Sequence, residues 1–352
     1  MQRSASETAP GQQGRLPRPD AVRWAVGRAL DSVLDRTVAP GYTRAGLAVR
    51  RHLPTWPADP APGSLEGRSA LVTGATSGLG TATARGLARL GARVHLVVRD
   101  EDKGERVRAQ LLEAVPGARL DVWRCDVADL DDVRRFAAAL TERLRADASS
   151  LDVMVHNAGV MPPARSTSPQ GHELSLATHV LGPVAMTEAL RPVLARSGQE
   201  RDWARVVLVS SGGMYAQPLP VDDPEYTRGE YRPAAAYART KRLQVELLPV
   251  LARRWAGERI AVQAMHPGWA DTPGVASSLP GFYRATRPFL RSPEEGADTA
   301  VWLAAAVPPP LTGQFWHDRA ARPTSLLRRT RTTDLERARM WQWCAEQLGL
   351  QP

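Results

Sequence analysis

From residue 68 onward two patterns alternate along the chain. Short apolar runs at 69–73, 93–98, 118–125, 151–156, 204–210, 260–266 and 313–316 read as strands. Between them, the stretches 81–90, 103–115, 129–145, 171–196, 235–255 and 293–305 read as helices. Strands of a parallel sheet are buried on both faces and so read as continuous apolar runs. The alternation therefore predicts an α/β fold: a doubly wound parallel sheet of about seven strands, with helices on both faces. No internal repeat is present.

The flanks follow different patterns. Residues 1–19 are polar and rich in Gly, Pro, Gln and Ser, which predicts a disordered tail without the apolar region of a secretory signal. Residues 20–38 read as an amphipathic helix capped by Asp20, with Ala21, Trp24, Ala25, Ala29, Val33, Leu34 and Val38 at helical spacing. Pro40 and Gly41 stop it, a short helix over 43–51 follows, and a Pro-rich linker spans 54–62. The first helix fits a flap packed on the main domain, and less well a weak contact with a membrane surface, since arginines and Trp24 share it. No stretch reaches the run of about 18 apolar residues that spans a bilayer. At the other end, 334–348 predicts a helix with a Thr333/Glu336 capping box. Its Leu335, Ala338, Trp341, Ala345 and Leu348 would pack on the domain or on a partner chain. The expected organisation is a tail (1–19), a helical extension with linker (20–66), a nucleotide-binding domain (67–320) and a C-terminal tail with helix (321–352).

Composition narrows the classes. Of 46 Lys+Arg only two are lysine, Lys103 and Lys241, so arginine carries the net charge of +9. The arginines are scattered among 37 acidic residues and form no stripe, which argues against a nucleic-acid partner. Two cysteines, Cys125 and Cys344, exclude a disulfide scaffold and a Cys-rich zinc site, and no metal is expected. The cysteine usage fits a reducing, cytoplasmic setting, with peripheral membrane contact as the alternative.

The first strand runs into Thr73-Gly74-Ala75-Thr76-Ser77-Gly78-Leu79-Gly80, and a helix follows at once. A strand, a glycine turn and a helix N-terminus make an anion site, because backbone N–H groups can approach a pyrophosphate and the helix dipole favours its charge. The Gly-x-x-x-Gly-x-Gly spacing after Thr resembles the fingerprint of the short-chain dehydrogenase/reductase (SDR) family, from Arg68 to around Arg319. The resemblance implies a Rossmann-type fold and a dinucleotide held by Thr73, Gly74, Thr76, Ser77, Gly78, Leu79 and Gly80. In its terms the second strand ends on Val98 where NAD enzymes place a carboxylate, and Arg99 follows where NADP enzymes often carry a base for the 2′-phosphate. This favours NADP(H) over NAD(H). Asp100 reads as a turn or cap. The resemblance assigns Asp126 with Val127 to the adenine side, and Asn157-Ala158-Gly159 to the sheet end bordering the cofactor.

Hydride transfer to a carbonyl leaves negative charge on oxygen, which needs a proton donor and a holder. A tyrosine, normally near pKa ~10, serves if a nearby ammonium stabilises its phenolate. Tyr237 and Lys241 are one helical turn apart on one face. In the SDR family Tyr-x-x-x-Lys is the catalytic pair, and its lysine also bonds the nicotinamide ribose. The substrate-orienting serine maps to Ser211, with Ser210 as the alternative. The long Ser211–Tyr237 separation implies an inserted loop over about 215–234. Pro267-Gly268 and Thr272 match the Pro-Gly-x-x-x-Thr turn beside the nicotinamide. His179 stands where the family has an Asn that holds a water. Relay support and helix packing are both open to an imidazole there.

The segment 273–290 is expected to form a substrate lid, through Val275, Leu279, Phe282, Tyr283 and Phe289. Met161, Met214, Tyr215 and Trp269 are further candidate walls, about half of this set being core instead. The expected function is an NADP(H)-dependent oxidoreductase for a hydrophobic alcohol and its ketone or aldehyde. A homo-oligomer is expected by resemblance only. A non-catalytic dinucleotide sensor and an epimerase or dehydratase on the same cofactor are the alternatives.

Overall fold

The computed structural model describes residues 21–201 and 203–351. The expected N-terminal tail and the capping Asp20 lie outside them. The extension holds α1 (Ala21–Arg36), α2 (Ala39–Tyr42) and α3 (Arg44–Arg51). Then come β1 (Ser69–Thr73), α4 (Gly78–Arg89), β2 (Arg93–Val98), α5 (Glu101–Ala114), β3 (Arg119–Arg124), α6 (Leu130–Ala146) and β4 (Val153–His156). The second half holds α7 (Leu174–Leu176), α8 (Gly182–Glu200), β5 (Ala204–Val209), α9 (Pro233–Glu246), α10 (Leu248–Trp255) and β6 (Ile260–Met265). It closes with α11 (Pro273–Ser278), α12 (Pro280–Thr286), α13 (Pro293–Ala305), β7 (Phe315–His317), β8 (Ala320–Arg322) and α14 (Asp334–Leu348).

The strands form one sheet in the order β3-β2-β1-β4-β5-β6-β7-β8. Neighbours from β3 to β7 pair in parallel. One core, with Leu87, Leu111, Ala300 and Leu303, lies under α4, α5 and α13. The other, with Val133, Leu190, Leu251 and Trp341, lies under α6, α8, α10 and α14. The doubly wound Rossmann-type architecture is thus the one the alternation predicts. Strand order reverses between β1 and β4, and in such sheets ligands bind in the crevice at that switch point, outside the carboxyl ends.

Three details differ from the sequence reading. The expected helix over 235–255 is two, α9 and α10, meeting at Leu247–Leu248, where Pro249 has no N–H to donate. The expected helix over 171–196 begins at Leu174 and passes through one π turn, Ala177–Leu181, before α8. An eighth strand, β8, runs antiparallel to β7. Its two turn residues, Asp318 and Arg319, both have positive φ (50° and 55°), as a tight hairpin requires. Nothing in Ala-Ala-Arg marks it as a strand.

The C-terminal helix packs on its own domain. Trp341, Cys344, Ala345 and Leu348 are buried in the core, whereas Leu335 is exposed. The Thr333/Glu336 capping box is formed. The loop expected over 215–234 is pinned down: Glu225 accepts from Glu173 N at 2.7 Å and bonds His172 at 2.8 Å, and the Tyr231 hydroxyl donates to Glu173 at 2.8 Å.

Candidate active site

A cavity of about 880 Å³ runs along the carboxyl ends of the strands. Its floor is the turn after β1. Gly74 has φ +64°, and a Cβ there would sit 2.8 Å from Ala158 Cα. A Cβ at Gly80 would sit 2.5 Å from Asn157 Nδ2. Only bare backbone allows this approach of helix, strand and turn. Thr76, Ser77, Gly78 and Leu79 face the cavity, with Ser77 as the extended residue preceding α4. This is the anion cradle that a pyrophosphate fits.

Behind it, Thr73 is fully buried. Its hydroxyl oxygen accepts from Asn157 N and Ala158 N, both at 3.0 Å. Asn157 Nδ2 donates to the carbonyls of Thr73 (3.1 Å) and Gly74 (3.2 Å). Asn157 thus ties the end of β4 to the glycine turn. Asn157, Ala158 and Gly159 line the cavity, but Thr73 and Gly80 stand behind its wall.

At one end the cavity meets Arg99, Lys103, Asp126 and Val127. Asp100 caps α5 through Lys103 N (3.0 Å) and pairs with the Lys103 ammonium at 3.4 Å. Asp126 Oδ1 accepts from Ala128 N at 3.0 Å, while Asp129 caps α6. Sequence reading missed Lys103, which gave it no role. It stands in the first turn of α5, whereas Arg99 precedes that helix, and both line the cavity.

The other end brings Ser211, Tyr237 and Lys241 together. The Tyr237 phenol and the Ser211 side chain share the cavity wall, close enough for Ser211 to bear on the phenol, and Ser211 Oγ accepts from Gly213 N at 3.1 Å. Lys241 Nζ lies 5.5 Å from the Tyr237 ring centroid and donates to the Val209 carbonyl at 2.7 Å. Ser210 takes a different part: its buried hydroxyl donates to the Lys241 carbonyl at 3.0 Å. Burial pushes the Tyr237 phenol up to about 12, against a smaller lowering by Ser211. Burial likewise pulls the Lys241 ammonium down to about 7. Desolvation is the larger influence on each, and biases both groups to their neutral forms.

His179 sits in the π turn, and its ring does not reach the cavity wall. Val160 N donates to Nε2 at 3.0 Å, so Nδ1 carries the proton and donates to Thr240 Oγ1 at 2.8 Å. Thr240 in turn donates to the Tyr237 carbonyl at 2.8 Å. Burial, with a smaller contribution from Lys241, holds the imidazole well below its ordinary pKa. Both ring nitrogens are hydrogen-bonded within the protein, the arrangement the helix-packing alternative calls for. The ring meets Tyr237 edge-on, with centroids 5.2 Å apart, and packs the tyrosine's helix.

Pro267, Gly268 and Thr272 line the same end, and the Thr272 hydroxyl caps α11 by accepting from Val275 N at 3.3 Å. Of the expected apolar walls, Met161, Trp269, Val275, Leu279 and Phe282 line the cavity. Met214 and Tyr215 are core residues, Tyr283 bonds Asp271 at 3.0 Å, and Phe289 is exposed.

Fold and site define the class. Residues 68–280 match the model of the short chain dehydrogenase family, and the chain belongs to that family: an oxidoreductase acting on CH–OH groups with a nicotinamide dinucleotide. Within it, the chain is similar to dehydrogenase/reductase SDR family member 12 of Bos taurus, 39% identical over 281 residues, 78% of this chain and 84% of the relative. It is also similar to retinol dehydrogenase 12 of Homo sapiens, 32% identical over 289 residues, 81% of this chain and 88% of that one. Among solved structures, the RhlG/NADP active-site complex of Pseudomonas aeruginosa matches with a TM-score of 0.59 at 28% identity, covering 73% of this chain and 96% of that chain.

Proposed function

We propose that this protein interconverts a hydrophobic alcohol and its ketone or aldehyde with NADP(H), through a Ser211–Tyr237–Lys241 centre. One observation carries the reading: Tyr237, with Ser211 on the same wall and Lys241 one turn away, lines the cavity that also holds the glycine cradle. A bound nicotinamide dinucleotide supplies the hydride in reduction and accepts it in oxidation. In reduction Tyr237, kept neutral by burial, gives its proton to the carbonyl oxygen as charge develops there. Ser211 donates a second hydrogen bond to that oxygen. Lys241 stabilises the phenolate left behind and, holding a proton near neutral pH, can return one to it. In oxidation the same groups act in reverse. His179 supports the helix that carries Tyr237 and takes no proton.

NADP(H) is favoured over NAD(H) by the cations at the far end. Arg99 and Lys103 offer charge to a 2′-phosphate, and the strand ends on the buried Val98 rather than on a carboxylate. The NADP complex of the structural relative supports the same choice. Trp269, Val275, Leu279 and Phe282 favour an apolar substrate, as does the relative named for retinol. The assignment of Thr272 to the nicotinamide carboxamide is supported by its place on the cavity wall. On α1 the side chains of Val26, Leu30 and Val33 are exposed, and this is the surface best suited to weak contact with a membrane. Among the described residues no helix is long and apolar enough to cross one.

The test is a nicotinamide-absorbance screen of hydrophobic alcohols and carbonyls with both cofactors. Turnover with NADP(H) is expected. Turnover with NAD(H) alone would overturn the Arg99 and Lys103 assignment, and none with either would overturn the reading.

A further inference from the structure

The N-terminal extension lies outside the family-matched residues, yet it reaches the reacting end of the cavity. Tyr42 is 2% exposed and borders the same cavity as Ser211, Tyr237 and Trp269. Its ring stands edge-on to His266 (centroids 4.4 Å apart) and His317 (4.9 Å). One edge of it presses on the serine turn: a Cβ at Gly212 would lie 2.6 Å from Tyr42 Cε2. Gly212 follows Ser211 directly, and here the glycine is required by a side chain from the extension. On the other side the Tyr42 carbonyl accepts from Trp269 N at 2.8 Å, within the turn that carries Pro267 to Thr272.

A buried clamp holds this segment in place. The Gly41 carbonyl accepts from Arg50 (2.6 Å) and Arg291 (3.0 Å), and the Thr43 carbonyl from Arg291 Nε (3.2 Å). Arg291 also donates to the Pro267 carbonyl at 3.2 Å. Both guanidinium groups pair with Asp318 at 2.6 Å. Arg50, Arg291 and Asp318 are all nearly inaccessible, so losing any one would leave buried charge without its partner. One guanidinium therefore grips both the extension and the nicotinamide-side turn.

We infer that the extension completes the active site, and that Tyr42 is a positioning residue: its ring backs the Ser211–Gly212 turn and its carbonyl anchors the turn at Trp269. What the site does rests on the reading given above. Among the described residues the Tyr42 hydroxyl has no hydrogen-bond partner, so the ring and not the hydroxyl performs this role.

The test uses the full chain with Tyr42→Ala and Tyr42→Phe. Melting temperature, kcat and KM for a hydrophobic ketone with NADPH, and amide hydrogen exchange are measured. Tyr42→Ala is expected to lower kcat by about tenfold or more, since small misplacements of reacting groups cost rates of that order. It is also expected to speed exchange in residues 210–214 and 266–272 while β1 and β4 stay protected. Tyr42→Phe is expected to restore both. Should Tyr42→Ala not fold, Gly212→Ala perturbs the same contact from the other side, and the same pair of effects is expected. A lower melting temperature with kcat per folded molecule and local exchange unchanged would overturn the inference and leave the extension a brace. If the wild type turns over no carbonyl, the functional reading fails, but the exchange measurement still decides this inference.

Discussion

The Ser210 hydroxyl donates to the Lys241 carbonyl at 3.0 Å, and the Lys241 ammonium returns to the same strand end at the Val209 carbonyl, 2.7 Å away. The end of β5 and the helix that carries Tyr237 and Lys241 are thus joined twice. The joint divides two adjacent serines: Ser210 is spent on the backbone, which leaves Ser211 to the Tyr237 phenol. Ser211→Ala is therefore expected to lower kcat by about 10²-fold or more with little change in melting temperature or NADP affinity. Ser210→Ala is expected to cost about 1–3 kcal/mol of stability, since a buried acceptor loses its donor. Kinetics and thermal melts of both variants check the division, and the opposite pattern would exchange the two roles.

His179 bridges Val160 N and Thr240 Oγ1, so its substitution is expected to act through packing. His179→Ala should lower the melting temperature by several degrees, because it opens a buried gap and strands the Val160 donor. The pH dependence of kcat in the wild type should show no ionisation near the ordinary histidine value of about 6.5 that this substitution removes. Such an inflection, abolished in the variant, would restore a relay role.

Arg99 and Lys103 both line the cavity. Arg99→Ala and Lys103→Ala are each expected to weaken NADP binding by about tenfold or more, as loss of a charge-assisted hydrogen bond does, while NAD binding stays near wild type. Titration with both cofactors reads this directly. Equal losses for the two would place the cations away from the 2′-phosphate.

Much of this was legible in the sequence, for physical reasons that differ by residue. The apolar runs marked the sheet because parallel strands are buried on both faces. The glycines after β1 marked the cradle because the close approach of Ala158 and Asn157 admits no Cβ. Tyr237 and Lys241 marked the proposed reacting end through the family's Tyr-x-x-x-Lys spacing, which puts both on one helical face. Lys103 was missed because a lone exposed lysine on a helix carries no sign of which crevice it faces. Tyr42 could not be found at all. Its contacts, Gly212, His266, Trp269 and His317, are far away in sequence, and only the folded Arg50–Asp318–Arg291 clamp brings the extension to them. The committed ring of His179 was equally hidden, since its partners Val160 and Thr240 come from other elements.

Lys241 titrates at about 7 in the fold against an ordinary value of 10.5. Between those limits the unfolded chain binds the extra proton, so this residue's penalty is full at or below pH 7 and fades as pH rises to 10.5. Lys241→Met should therefore be more stable than the wild type at pH 6, with the gap shrinking steadily toward pH 10. Thermal melts of both proteins across that range test the sign. A gap that widens with pH would mean that Lys241 is stabilised, not penalised, by its burial.

The proposed proton transfer by Tyr237 is tested by Tyr237→Phe, which removes one oxygen and keeps the ring against His179. NADP affinity and melting temperature are expected to stay close to wild type. Reduction of a hydrophobic ketone, followed by nicotinamide absorbance, is expected to fall by about 10²–10⁴-fold. Undiminished turnover in that variant, with cofactor bound as before, would contradict it.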